Sequence, residues 1–446
     1  MYTERHGRTE RCGAGVHQRA RRKGPVAAVV GAVLTLLVAP APWDSGATGR
    51  ATAPVRVVRH GAPAWPGRSR GRGVTPALQD TLTLSDARAG DRFGSVVAAS
   101  DATVLVGAPG RDNNAGAVYV FAQRGAAWLQ RATLSAANRR HDDYFGSSVS
   151  IGGDTVLIGA PARDGGVGAA YVFTRSGSAW LQQAMLSAAD PRRHDTFGAA
   201  VALSGDTALI GADGKNANAG AVYVFARHGS VWRQQDTLIP AAGRHDDYFG
   251  VSVVLSGTTA LIGAPGNAGA AYVFTRSGSA WRQQAKLTVP TAQSDDEVGL
   301  SVALAGPTAL VSATGMRYKA GAVYAFTQRG GAWRQGSALT ASDGQPNDEL
   351  GASIALSGDI ALIGAGGKSV DRADKVGGAY LFAHSGLVWR QAVALDNPNG
   401  EYGDEFGLTV ALGTDTAVIG APGQNNDAGA SYLFGPLTRT LPGVNG

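Results

Sequence analysis

The feature that most restricts this chain is a unit of roughly fifty residues that recurs seven times. Its landmark, a phenylalanine or a replacement, stands at Phe93, Phe145, Phe197, Phe249, Val298, Leu350 and Phe406, at intervals of 52, 52, 52, 49, 52 and 56. Tryptophans Trp128, Trp180, Trp232, Trp281, Trp333 and Trp389 keep the same step. The second unit is representative. "FGSSVSI" is followed by "GGD", "TVLIGAP", "ARDGGVG", "AAYVFTR", "SGS" and "AWLQQAML". Four short runs of apolar, β-branched or aromatic residues alternate with glycine-rich turns, which is the pattern of a four-stranded antiparallel meander. No segment carries a convincing 3.6-residue period, so helices are not expected. A chain with 64 glycines and 44% hydrophobic residues suits tight turns around a sizeable core.

A period near 50 with four strands per unit indicates a blade of a β-propeller. The seventh unit stops after "ASYLFGPL" (430–437), without a tryptophan strand, while "PALQDTL" (76–82) lines up with "WLQRATL" (128–134) just before the first unit. The expected fold is therefore all-β: a seven-bladed propeller of four-stranded antiparallel blades, its ring closed by an N-terminal strand. The second strand, "TVLIG", is apolar on both faces, as it should be with a neighbouring blade on each side. Small inner residues such as Gly146, Ser147 and Ser148 fit convergence on an axis, and Phe145 is expected to wedge between blades.

The net charge of +6 misleads. Residues 1–75 hold 13 Lys+Arg against 3 Asp+Glu, leaving 27 against 31 in the rest. The basicity belongs to the leader, so nucleic acid is set aside as a partner. Residues 1–41 read as a signal peptide, with an arginine-rich start, the apolar stretch "PVAAVVGAVLTLLVA" (25–39) and an Ala39-x-Ala41 pattern. Fifteen apolar residues are short for a membrane span, which takes about twenty, so no span is expected in the mature protein. Residues 42–74 read as a disordered basic linker, 75–437 as the propeller and 438–446 as a C-terminal tail. The single cysteine, Cys12, leaves no disulfide to form.

The Phe-Gly pairs at 93–94, 145–146, 197–198, 249–250 and 406–407 combine with "GAP" at 107–109, 159–161, 263–265 and 420–422. Together they resemble the FG-GAP repeat, found in the propeller of integrin α subunits and in secreted bacterial proteins. The resemblance covers about 76–437. It implies a seven-bladed propeller used for extracellular binding. Units five and six depart from it, with "VG" and "SAT" (312–314) and with "LG" and "GAG" (364–366). The family's calcium loop, D-x-D-x-D-G, has no counterpart here: the connection between first and second strands is only "GGD" (152–154), "SGD" (204–206), "SGT" (256–258) or "GTD" (413–415). Three residues with at most one carboxylate do not wrap Ca²⁺, so no metal or other cofactor is expected.

Two sets of residues stand out. Asp91, Asp143, Asp195, Asp247, Asp296, Asp348 and Asp404 each precede the landmark by two places, and a role present in every unit suits backbone hydrogen bonding better than one active site. With Phe93, Phe145, Phe197, Phe249, Phe406 and the outer-strand Trp128, Trp180 and Trp232, they form the structural repeat. The other set lies on loops of one face: His141, Asp142, His194, His245 and Asp246 in "NRRHDD", "PRRHD" and "GRHDD", and Arg111, Asp112 and Asn113 in "GRDNNAG". These are the candidate ligand-binding residues. Three histidines are also compatible with a transition metal or a lyase-like site, and equally with copies of one solvated loop. No G-x-S-x-G, H-E-x-x-H, P-loop or paired cysteines occur, so no catalytic residue is named.

The expected function is a secreted or cell-surface, monomeric binding or adhesion propeller presenting loops to a protein or carbohydrate. The alternatives are a polysaccharide lyase or hydrolase using the His/Asp/Arg loops of blades two to four, and a structural envelope component.

Overall fold

The computed structural model describes residues 75–437, except 101, 371–374 and 386–387. The proposed signal peptide, linker and tail, and Cys12, lie outside the described residues. Within them are seven four-stranded antiparallel sheets arranged as a ring of blades. In blade 2 the strands are Ser148–Gly152, Thr155–Ala160, Ala169–Ser176 and Ala179–Leu186, in that order from axis to rim. Blade 7 is assembled differently. Its inner strands are Thr409–Leu412, Ala417–Ala421 and Ala430–Gly435, and its outer strand is Ala77–Leu82, which pairs antiparallel with Ala430–Gly435.

The core lies between blades. Phe145 is fully buried, meets Tyr171 and Phe173 of its own blade edge-on with ring centroids 5.4 Å and 6.1 Å apart, and also packs into Val96, Leu105 and Val118 of blade 1. A parallel bridge from Phe145 to Gly116 stitches it to that blade. Val298 and Leu350 occupy the same buried place in blades 5 and 6. The glycine of "GAP" has an equally concrete cause: a Cβ on Gly159 would sit 2.0 Å from the carbonyl oxygen of Gly198 in the next blade. Only glycine lets the two backbones approach so closely.

Serine and threonine tie the inner strands together around the axis. The Ser148 hydroxyl donates to Gly198 O at 2.8 Å, and the Thr409 hydroxyl to Gly94 O at 2.9 Å. The amides of Leu203, Ile354 and Val410 donate to the hydroxyls of Ser150, Ser301 and Ser353 in the preceding blades. Val, Ala, Ile and Leu of these strands line an axial channel of about 300 Å³.

At the rim, the pairing of third and fourth strands slips by one residue in all seven blades. This bulge re-aims side chains: the bulged Gln183 and Gln284 accept the indole N–H of Trp232 and Trp333 from the next blade, at 3.2 Å and 3.3 Å. The tryptophans do not all serve alike. Trp128, Trp232, Trp281 and Trp389 are buried, whereas Trp180 is only partly buried, against the core shared with blade 1.

Among the described residues, short hydrogen-bonded turns fill five loops between second and third strands, for example Arg111–Asn114 and Gln424–Asp427. They are not ordinary helices, since Asp112 (φ 53°, ψ 53°) and Asn113 (φ 56°, ψ 54°) are left-handed. Asn, Asp and Gly tolerate that conformation, which explains the composition of these loops.

Candidate functional site

The loops leading into each blade and those between second and third strands share one face of the disc. The seven repeated aspartates organise it. Asp143 accepts the backbone N–H of Arg140 at 2.9 Å, and each of the other six accepts the N–H three residues before it in the same way, at 2.6 to 3.0 Å. In blades 1 to 3 a cation from the neighbouring loop meets the carboxylate: Arg111 with Asp91 at 2.7 Å, Arg163 with Asp143 at 2.9 Å and Lys215 with Asp195 at 3.0 Å. Burial raises the Asp143 carboxyl above its ordinary range despite the Arg140 N–H and the Arg163 charge that oppose it. These pairs hold loops to blades.

This arrangement corrects one expectation. Arg111 is not offered to a ligand, because its guanidinium is almost covered and engaged by Asp91 and Asp86. Its neighbours Asp112 and Asn113, together with His141 and Asp142, line a polar cleft of about 460 Å³ between blades 1 and 2. Asp142 there accepts from Asn114 Nδ2 at 2.9 Å, as Asp246 does from Asn218 at 3.0 Å. His141, His194 and His245 are all exposed, each on its own blade. Among the described residues no group of three or more His, Cys, Asp or Glu is placed to hold a metal. The histidines therefore repeat a loop and do not converge.

What does converge is a residue that the sequence reading passed over, the one between the aspartate and the landmark. It is Arg92, Tyr144, Thr196, Tyr248, Glu297, Glu349 and Glu405 in successive blades. In all seven its φ lies between 53° and 58°, and in all seven it is half-buried. Because it precedes the innermost strand, the seven encircle the mouth of the axial channel. Adjacent members touch or sense one another. Arg92 pairs with Glu405 at 3.1 Å, and Glu349 lies within electrostatic reach of both Glu297 and Glu405. Burial pushes the carboxyls of Glu349 and Glu405 up, against the pull of Lys319 and Lys375 on the first and of Arg92 and Lys375 on the second. Asp213, standing where other blades have the proline of "GAP", joins the ring through Thr196 Oγ1 at 2.6 Å, and burial raises it as well. The signal was available: this is the position whose chemistry changes from blade to blade while both its neighbours are held nearly fixed.

Around the mouth, the loops of blade 7 carry Glu401, Asp404, Glu405 and Asp427 and no Lys, Arg or His. Two tyrosines stand free on the same face, Tyr402 at 76% exposure and Tyr318 at 88%. Tyr318 follows Arg317 and precedes Lys319, and all three are left-handed at φ 57° to 64°. Such residues pay a strain of about 1–2 kcal/mol each in that conformation, and held strain of this kind tends to mark surfaces that do something.

Fold and face together define a seven-bladed β-propeller with one uniform scaffold and one variegated axial ring. The match to the FG-GAP repeat is sevenfold, over residues 77–121, 128–173, 180–225, 232–274, 281–326, 333–382 and 389–434, and the chain belongs to that family. Among solved structures, a chain in the "Crystal Structure of Mitotic Checkpoint Complex" is similar, with 14% sequence identity, a TM-score of 0.53, and 86% of this chain and 98% of that chain covered. At that identity the likeness concerns fold alone. No curated protein sequence matches this chain.

Proposed function

We propose that this chain is a secreted or cell-surface binding propeller, and not an enzyme, whose ligand is a protein that presents basic side chains to the acidic mouth and to blade 7. The FG-GAP family supports a ligand-binding propeller in general. One observation carries the finer reading: the axial ring varies in chemistry where the scaffold does not, and its acids are gathered on consecutive blades 5, 6 and 7. A low-dielectric rim with an excess of carboxylates on neighbouring blades concentrates field lines and speeds the approach of a basic partner. Exposed Tyr402, next to Glu401, adds a face on which Arg and Lys stack. Export agrees with the basic start and apolar stretch of residues 1–41. Among the described residues no helix is long and apolar enough to cross a membrane.

The test is a capture experiment from the native extracellular fluid, run with the wild-type protein and with Glu297→Gln/Glu349→Gln/Glu405→Gln, alongside a glycan array. A protein captured by the wild type, lost with the triple variant and weakened by salt supports the proposal. Binding to glycans that the triple variant retains would move the site to the polar cleft at His141 and overturn it.

A further inference from the structure

We infer that the ring has a built-in seam at the rim between blades 6 and 7, where it opens with the axis as hinge and blade 7 staying with blade 1. Four of the other junctions carry the same clip. An outer-strand glutamine accepts the N–H of the loop that leaves the preceding blade: Gln182 from Ala137 at 2.9 Å, Gln234 from Ala189 at 2.9 Å, Gln283 from Ala241 at 3.0 Å and Gln391 from Ser342 at 2.8 Å. These join blades 1–2, 2–3, 3–4 and 5–6. At the 4–5 junction the donor is replaced by Pro290, yet Trp333 still reaches Gln284.

At the 6–7 junction both partners are missing by chemistry. Pro398 stands in the donor's place and has no N–H. Leu78 pairs with Phe434 as Gln182 pairs with Phe173, so a side chain without an acceptor stands in the glutamine's place. Among the described residues no hydrogen bond links the outer strand of blade 7 to blade 6. At the axis the same junction is tied, through Val410 N and Ser353 Oγ at 3.0 Å. On the other side of blade 7, Asp80 accepts from Trp128 N at 3.2 Å and fastens the closing strand to blade 1. A junction pinned at the axis and free at the rim swings like a door. This one lies beside the acidic loops of blade 7, so a ligand bridging blades 6 and 7 would close it.

Thiol trapping reads the opening directly. Ala417, Ala260, Ala208 and Val104 are buried at 0–1% exposure in the cores of the 6–7, 3–4, 2–3 and 7–1 junctions. Each is changed to cysteine singly in the full chain carrying Cys12→Ser. The Ala417→Cys thiol is expected to react with a maleimide at least about five times faster than the Ala208→Cys or Val104→Cys thiol, the factor that one hydrogen bond supplies. Adding Leu78→Gln with Pro398→Ala should slow Ala417→Cys by a similar factor. In case that repair does not fold, Gln283→Ala should speed the Ala260→Cys thiol instead. Equal rates at positions 417, 208 and 104, or fastest reaction at position 104, would overturn the seam.

Discussion

Blade 2 and blade 7 solve the same local problem with different chemistry. Each has a buried aspartate that accepts the N–H three residues back, Asp143 and Asp404. In blade 2 the remaining valence goes to Arg163, itself buried, at 2.9 Å. In blade 7 the cation's place is taken by Gln424, which accepts from Tyr432, while Asp404 turns to the neutral amide of Asn397 at 2.7 Å. The fold accepts either arrangement. The difference is in what balances the charge: blade 2 meets its buried carboxylate with a cation from its own loop, whereas blade 7 meets it with a neutral amide and its loops contribute no cation. A repeat can therefore keep its architecture while the charge balance of one copy changes.

The harshest way to break this comparison is to remove the strand that makes blade 7 a blade. Deleting 1–84 takes away Ala77–Leu82 and bares the edge of Ala430–Gly435, so aggregation or collapse of the thermal transition is expected, while deleting 1–70 should leave the melting temperature unchanged. Equal stability of the two truncations would mean that blade 7 stands without its outer strand.

Next in size is the buried pair of blade 2. Arg163→Met strands a charge on Asp143, and breaking such a pair costs on the order of 3–5 kcal/mol. The matching change in blade 7, Gln424→Met, removes a neutral partner and should cost nearer to 1 kcal/mol. Chemical denaturation of both variants decides it. If the two losses are alike, the blades are not solving their problem differently after all.

The third test uses pH. The carboxyls of Glu349 and Glu405 are raised above the ordinary glutamate value of 4.5 by burial. A folded state that holds protons more tightly than the unfolded one gains stability as pH falls from neutral through the raised value, and the gain is complete below the ordinary one. Glu349→Gln/Glu405→Gln should therefore be more stable than wild type at pH 7, and that advantage should vanish by about pH 4. A constant offset across the range would show that these acids do not feel the crowding inferred at the mouth.

The smallest effect belongs to the cleft of blades 1 and 2. His141→Ala/Asp142→Ala/His245→Ala alters exposed loop residues, where substitutions usually stay within about 0.5 kcal/mol, so the melting curve should barely move. Unfolding of this variant would make those loops structural.

How much of this was legible beforehand depended on whether the signal was periodic. Blade number, strand order and the pairing of 76–82 with blade 7 could be read because Phe145, Gly159 and their equivalents repeat for a packing reason that every copy shares. The aspartates could be assigned to backbone hydrogen bonds for the same reason. Arg111 was misjudged because sequence gives a residue's type and not what faces it: Asp91 lies 20 positions from Arg111 in the chain. The axial ring was missed because attention to repeats favours what is constant, and Tyr144, Thr196 and Glu349 are conspicuous only when variation is what is sought.

One rim feature bears on how many molecules can coexist. A disc with seven outward-facing strand edges is a tile, and flat tiles with open edges assemble into sheets. The one-residue slip in every outer strand spoils the regular row of amides and carbonyls that a second disc would have to match. The same slip that lets Gln183 reach Trp232 inside the ring thus makes each ring a poor template for edge-to-edge pairing with its copies.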